Sequence, residues 1–243
     1  MQRGFGANTW DQAEAAQIDV GLRNYMLRVY NYMASGLLLS GIVAVLVANT
    51  GLQSVFFQVV DGRLGYTGLG FVGILAPLGL ILAMSFGAQR MKLGTLQALY
   101  WAFVATMGIG LSVILMVYTG ASIARVFFIT AAAFGGLSLY GYTTKRNLSG
   151  FGTFLVMGLI GLVIASLVNM FIASSMMQFV ISVVGVLVFA GLTAYDTQRI
   201  KNTYFYVDGT GAEGHSAVMG AVSLYLNFVN LFQFLMMFFG QRQ

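Results

Sequence analysis

The chain has 243 residues, of which 58% are hydrophobic and only 8% charged, where soluble domains carry about 25% charged residues. With a mean hydropathy of +0.84, that composition excludes a soluble globular domain and specifies an all-α polytopic membrane protein. The net charge of +5 comes from basic residues scattered singly and in pairs, which excludes a nucleic-acid surface, and the absence of cysteine excludes disulfides and thiolate chemistry.

Residues 1–26 are expected to form a polar cytoplasmic N-terminal segment. The first twenty, Met1 to Val20, are mixed in charge and lack the basic start and apolar core of a cleavable signal, so insertion is expected to begin with the first span. Seven stretches reach the ~20 residues a helix needs to cross hydrocarbon. They are predicted near 27–49, 68–88, 95–117, 123–144, 151–173, 177–199 and 217–239, forming one transmembrane domain over 27–240. Asn49-Thr50-Gly51 closes the first span. The connection over 50–67 is half apolar, with Phe56, Phe57, Val59 and Val60, and is expected to lie along the interface as a short amphipathic segment. Gln89 to Gly94 separates the second and third spans, Tyr118-Thr119-Gly120 the third and fourth, and the basic turn Lys145 to Gly150 the fourth and fifth. Ala173-Ser174-Ser175 ends the fifth, and a Gly-rich polar loop from Asn202 to His215 precedes the seventh. With one proline and 31 glycines, the spans should be largely unbroken helices that touch through small residues. No internal repeat is visible, and an odd number of spans argues against a simple inverted duplication.

Charge sets the expected orientation. With the N-terminus cytoplasmic, the inner side holds Arg3, Arg23, Arg28, Arg90, Lys92, Lys145, Arg146, Arg199 and Lys201, and the outer side only Arg63, Arg125 and Arg242. That bias follows the positive-inside rule and puts the C-terminus outside.

Asp196 is the one acid inside a membrane-length apolar stretch, since Asp11, Glu14, Asp19, Asp61, Asp208 and Glu213 all fall in polar segments. A carboxylate at such depth costs roughly 2.5–3.5 kcal/mol on insertion scales. Two readings of it stand. Arg199, three residues on, lies on the same helical face and can form a local ion pair near the interface. The other reading turns Asp196 toward the bundle interior, where it titrates. In the seventh span Ser223, Asn227, Asn230 and Gln233 recur at helical spacing on an otherwise apolar helix. Such a stripe either binds helices together by interhelical hydrogen bonds or lines a narrow polar path with Asp196. Arg90, at the inner end of the second span, is placed to turn inward toward Asp196, whereas Lys92 reads as a topology signal. His215 reads as solvated in its loop, and Tyr100 and Trp101 as an interfacial belt at the start of a span.

Catalytic constellations are absent from the sequence. Lys92, Lys145 and Lys201 sit at loop edges, so no retinal-type Schiff base forms in the last span. One intramembrane acid does not make an aspartyl dyad, and no histidine lies in a span to serve a serine nucleophile. No His/Cys cluster or phosphate-binding glycine loop occurs. The chain is read as a non-enzyme without a cofactor.

The segment Ala194-Tyr195-Asp196-Thr197-Gln198-Arg199-Ile200-Lys201, followed by Ser223-Leu224-Tyr225-Leu226-Asn227-Phe228-Val229-Asn230-Leu231-Phe232, resembles the Bax inhibitor-1 family of transmembrane Bax-inhibitor-motif proteins, and so does Gln89-Arg90-Met91-Lys92. The resemblance covers essentially the whole chain. It implies seven helices with the last one central, surrounded by the other six, and a pH-sensitive calcium leak. In that family a pair of aspartates in the sixth and seventh spans seals the pore, and a basic residue at the inner end of the second span holds the pair. By position these match Asp196, Asn227 and Arg90. Asn227 departs from the pattern, because an Asp–Asn pair cannot share a proton as two carboxylates do. Sensing of pH then reduces to the single titration of Asp196. Calcium binding at Asp196 is expected to be weak, since Ca²⁺ takes six to eight oxygens and favours several carboxylates.

The resulting expectation is a pH-sensitive calcium leak channel of a bacterial inner membrane. Arg90, Asp196, Arg199, Ser223, Asn227 and Asn230 form its pore and gate, Ca²⁺ is the transported ion, and protons and the lipid bilayer are its other partners. The rival is a non-conducting regulatory membrane protein that acts through protein partners in stress or quality control.

Overall fold

The computed structural model describes residues 5–60 and 63–243. Arg3 and Asp61 of the charge inventory lie outside the described residues, as do the side chains of Asp11, Glu14, Asp19 and Arg63. The elements in chain order are α1 (Phe5–Asn49), α2 (Leu52–Phe56), β1 (Phe57–Val60), β2 (Arg63–Tyr66), α3 (Gly68–Gly87), α4 (Leu93–Val117), α5 (Gly120–Thr143), α6 (Ser149–Ile172), α7 (Ser175–Val207) and α8 (Glu213–Phe239). The seven helices other than α2 are long and apolar enough to cross a membrane, the first over Val20–Asn49. α1 begins at Phe5 and runs on through the polar N-terminal segment into the first span. No proline interrupts that stretch, so the backbone ladder continues out of the apolar region.

The connection over 50–67 differs from the amphipathic segment expected there. A single turn of helix, α2, leads into an antiparallel hairpin in which Phe57 faces Tyr66 and Val60 faces Arg63. Asp61-Gly62 between these runs is a hairpin signal at the level of sequence.

Local chemistry explains the helix ends. Thr67 and Ser174 cap α3 and α7, their hydroxyls accepting from the amides of Gly70 and Met177. Ala173 takes a left-handed conformation (φ 52°) to end α6. Gly209 and Gly211, with φ of 70° and 77°, shape the loop into α8. The lone proline, Pro77, sits inside α3 without ending it.

The last helix is the centre of the bundle. In its most apolar window 56% of residues are buried, against 17% in α6. Its neighbours are α7, α1, α5 and α4, while α3 packs chiefly on α4 and α6 chiefly on α7. Four helices rather than six therefore form its wall. Small residues set the closest approaches. Gly141 of α5 lies against the backbone of Ala194 on α7, and a Cβ on Gly108 of α4 would stand 2.6 Å from the Ser40 carbonyl of α1. Lipid supplies no hydrophobic drive between helices, so such contacts carry the association. The Gly141 contact sets α5 beside the turn of α7 that bears Asp196.

Candidate functional site

Asp196 lies within the buried face of α7, and its carboxylate points to α8 rather than to lipid. Its Oδ2 accepts a hydrogen bond from Asn227 Nδ2 at 2.8 Å. Its Oδ1 meets Arg199 Nη2 at 2.8 Å, one turn along the same helix. The same Nη2 donates to Ser223 Oγ on α8 at 3.2 Å. Ser223 and Asn227, four residues apart on α8, thus face Asp196 and Arg199, three apart on α7, and the four side chains form one cross-helix lock. The carboxylate is 10% exposed and the Arg199 side chain 50%. The acid is therefore sealed inside while the guanidinium reaches toward the interface over the ring of Tyr195, 5.7 Å from its centroid.

Of the two cations considered for Asp196, the partner is Arg199. Arg90 lies in the turn after α3, exposed, and lines a separate cavity of about 870 Å³ with Met91, Thr203, Gly211 and His215. From Asp196 to Thr203 the axial offset is about 10 Å at 1.5 Å per residue. The physical reason is height along the bundle: the turn after α3 meets α7 and α8 at Thr203 and His215, near the loop that joins them and about two helical turns beyond Asp196. Arg199 needs no tertiary event to reach Asp196, because i,i+3 spacing delivers it.

The polar stripe of α8 divides. Asn230 donates to the Leu226 carbonyl of its own helix at 2.8 Å and makes no cross-helix bond. Gln233 is turned away from α7 into a cavity of about 400 Å³ beside Pro77, Thr106 and Gly110 of α3 and α4. Only Ser223 and Asn227 join the lock.

Several polar groups were invisible as a set in the sequence. Thr197 Oγ1 and Ser138 Oγ lie 2.9 Å apart, and Ser138 Oγ lies 2.6 Å from Tyr30 Oη, so a hydroxyl chain links α7, α5 and α1 beside Asp196. Gln198 holds the α5–α6 turn with two bonds of 2.8 Å, to the Leu148 amide and the Arg146 carbonyl. Ser40 Oγ joins Tyr225 Oη and the Val104 carbonyl, each at 2.6 Å. Tyr100 is fully buried, with its hydroxyl donating to the Tyr32 carbonyl, not placed in an interfacial belt. His215 Nε2 lies 2.9 Å from the Met91 carbonyl, so it ties α8 to the α3–α4 turn rather than standing free in solvent. The separation in sequence of these partners left no local signal. Among the described residues, no three His, Cys, Asp or Glu side chains gather as metal ligands.

The comparison with known families decides what this bundle is. The family model described as inhibitor of apoptosis-promoting Bax1 matches residues 22–243. The chain belongs to the Bax inhibitor-1 family. An uncharacterized protein of Caulobacter vibrioides is 48% identical over 243 residues, covering 99% of this chain and 97% of the relative. The inner membrane protein YbhL of Escherichia coli K12 is 44% identical over 225 residues, covering 92% and 94%. An uncharacterized membrane protein of Streptococcus pyogenes is 34% identical, covering 95% and 98%. Within this Bax inhibitor-1 chain, the Asp196–Asn227 contact joins the two segments that carry the resemblance.

Proposed function

We propose that this Bax inhibitor-1 protein is a pH-sensitive calcium leak channel of a bacterial inner membrane, with its N-terminus cytoplasmic and its C-terminus outside. The observation that carries the reading is a buried carboxylate at the contact of the two innermost helices, held by one amide and one guanidinium. While Asp196 is ionised, Arg199 and Asn227 both bind it and α7 and α8 stay clamped. Protonation removes the charge to which Arg199 is drawn. Arg199, half exposed, then moves to headgroups, and the lock is left with weaker neutral bonds. Flux is therefore expected to rise as pH falls. Ca²⁺ passes as cargo and meets a single carboxylate, so its binding is weak. Arg90 lines a separate cavity near the same end of α7 and α8, and its charge would act on a cation only before the cation reaches the lock. No catalytic role is assigned. The name of the Escherichia coli relative supports the inner-membrane location, and the distribution of Lys and Arg supports the orientation.

A second reading, a non-conducting regulator that acts through other membrane proteins, is favoured by one feature. Among the described residues, every buried side-chain polar atom has a hydrogen-bond partner, as expected of amides and hydroxyls that only hold a bundle together. Purified protein in liposomes separates the two. A channel releases entrapped calcium more quickly at acid pH and loses that response in Asp196→Asn. Liposomes that stay tight at every pH refute conduction and leave the regulator.

A further inference from the structure

We propose that the groove between α1 and α5 is a binding site for an anionic phospholipid of the leaflet next to Arg23. The two helices do not pack along their length. α1 rests chiefly on α4 and α8, α5 rests on α7 and α8, and a cavity of about 710 Å³ opens between them. Its walls and floor are apolar, with Met26, Met33 and Leu37 on α1, Phe134 on α5 and Phe228 on α8. An opening of this kind, at membrane depth and facing hydrocarbon, is filled by acyl chain, which costs no polar desolvation. One end differs in chemistry. Arg23 and Tyr142 line it, and among the described residues no lining side chain is acidic. Lys201 donates to the Tyr142 carbonyl at 2.8 Å and stands 5.0 Å from the centre of its ring. The exposed Lys145 and Arg146 follow Tyr142 in the chain. A basic end on an apolar interhelical cleft matches a phosphate above an acyl chain. The Tyr30–Ser138 bond spans the groove at half height, so the chain lies over a closed floor rather than entering the bundle. The inference is independent of conduction, because its readout is lipid retention.

Native mass spectrometry of the purified full chain, titrated with phosphatidylglycerol or phosphatidylcholine of equal chain length, tests it. Wild type is expected to retain phosphatidylglycerol preferentially. Arg23→Gln should lower that retention about fivefold, the effect of one basic residue near an anionic headgroup. Gly135 has open space where a Cβ would stand, so Gly135→Leu fills the groove from α5, and Ala34→Leu, at an exposed position, fills it from α1. Each should abolish retention while the melting transition stays within a few degrees of wild type. Arg125→Gln, near the other end of α5 and outside the groove lining, should change nothing. The proposal is overturned by equal retention of the two lipids, by full retention in Arg23→Gln, by full retention in both filled variants, or by a dimer that disappears when the groove is filled.

Discussion

At the scale of single residues, the chemistry concentrates in four side chains. Asn227 gives Asp196 a neutral donor, where a second carboxylate would add charge and a shared proton. Asn227→Asp is therefore expected to convert a one-step pH profile of calcium release into a two-step profile and to strengthen calcium binding, both measurable in dye-loaded liposomes. An unchanged profile would refute the lock as the pH sensor. Arg199→Gln leaves the Asp196 carboxylate with Asn227 alone. Because the guanidinium is half exposed, the loss should lie between that of a surface pair and that of a buried pair, about 1–2 kcal/mol by denaturant unfolding. Asp196→Asn combined with Arg199→Gln should lose less than the sum of the single changes, since the stranded charge is removed with its partner.

Elements matter through the closeness of their backbones. Gly141 lets α5 touch the Ala194 carbonyl of α7, two residues before Asp196. A side chain there must push α5 away. Gly141→Val is expected to destabilise the bundle by about 1–3 kcal/mol, read as a lower melting temperature in detergent. Gly136, on the same helix but with open space at its Cβ, should accept valine with little effect. A difference between these positions reports helix contact and not helix propensity, because glycine is the starting residue at both.

For the whole molecule, the arrangement of charge and the central last helix act together. The chain has no cysteine, so single cysteines report topology directly. Lys145→Cys should react with an impermeant maleimide only in inverted vesicles, and Arg125→Cys only in intact spheroplasts. The reverse pattern would turn the molecule over and put the Arg90 cavity outside. With α8 ringed by α1, α4, α5 and α7, any motion that frees Asp196 must disturb the most buried helix. On the proposed function, calcium release would therefore report on the core of the bundle rather than on a peripheral flap.

Much of this was legible in the residues themselves. Hydrocarbon thickness permits few ways to satisfy a backbone, so composition and run length alone determined the seven spans and the all-α class. Local spacing determined that Arg199 shares a face with Asp196, and the depth of a lone acid singled it out. Tertiary structure decided the rest. Whether Arg90 or Arg199 meets the carboxylate depends on the height at which the turn after α3 meets α7 and α8. Asn230 and Gln233 leave the lock because an α-helix turns 3.6 residues at a time, and a stripe drawn by eye spans more than one neighbour. The bonds from Thr197 through Ser138 to Tyr30, and from Gln198 to the α5–α6 turn, join residues far apart in the chain. Such partners are set by how helices pack side by side, a relation that periodicity along one strand of sequence does not encode.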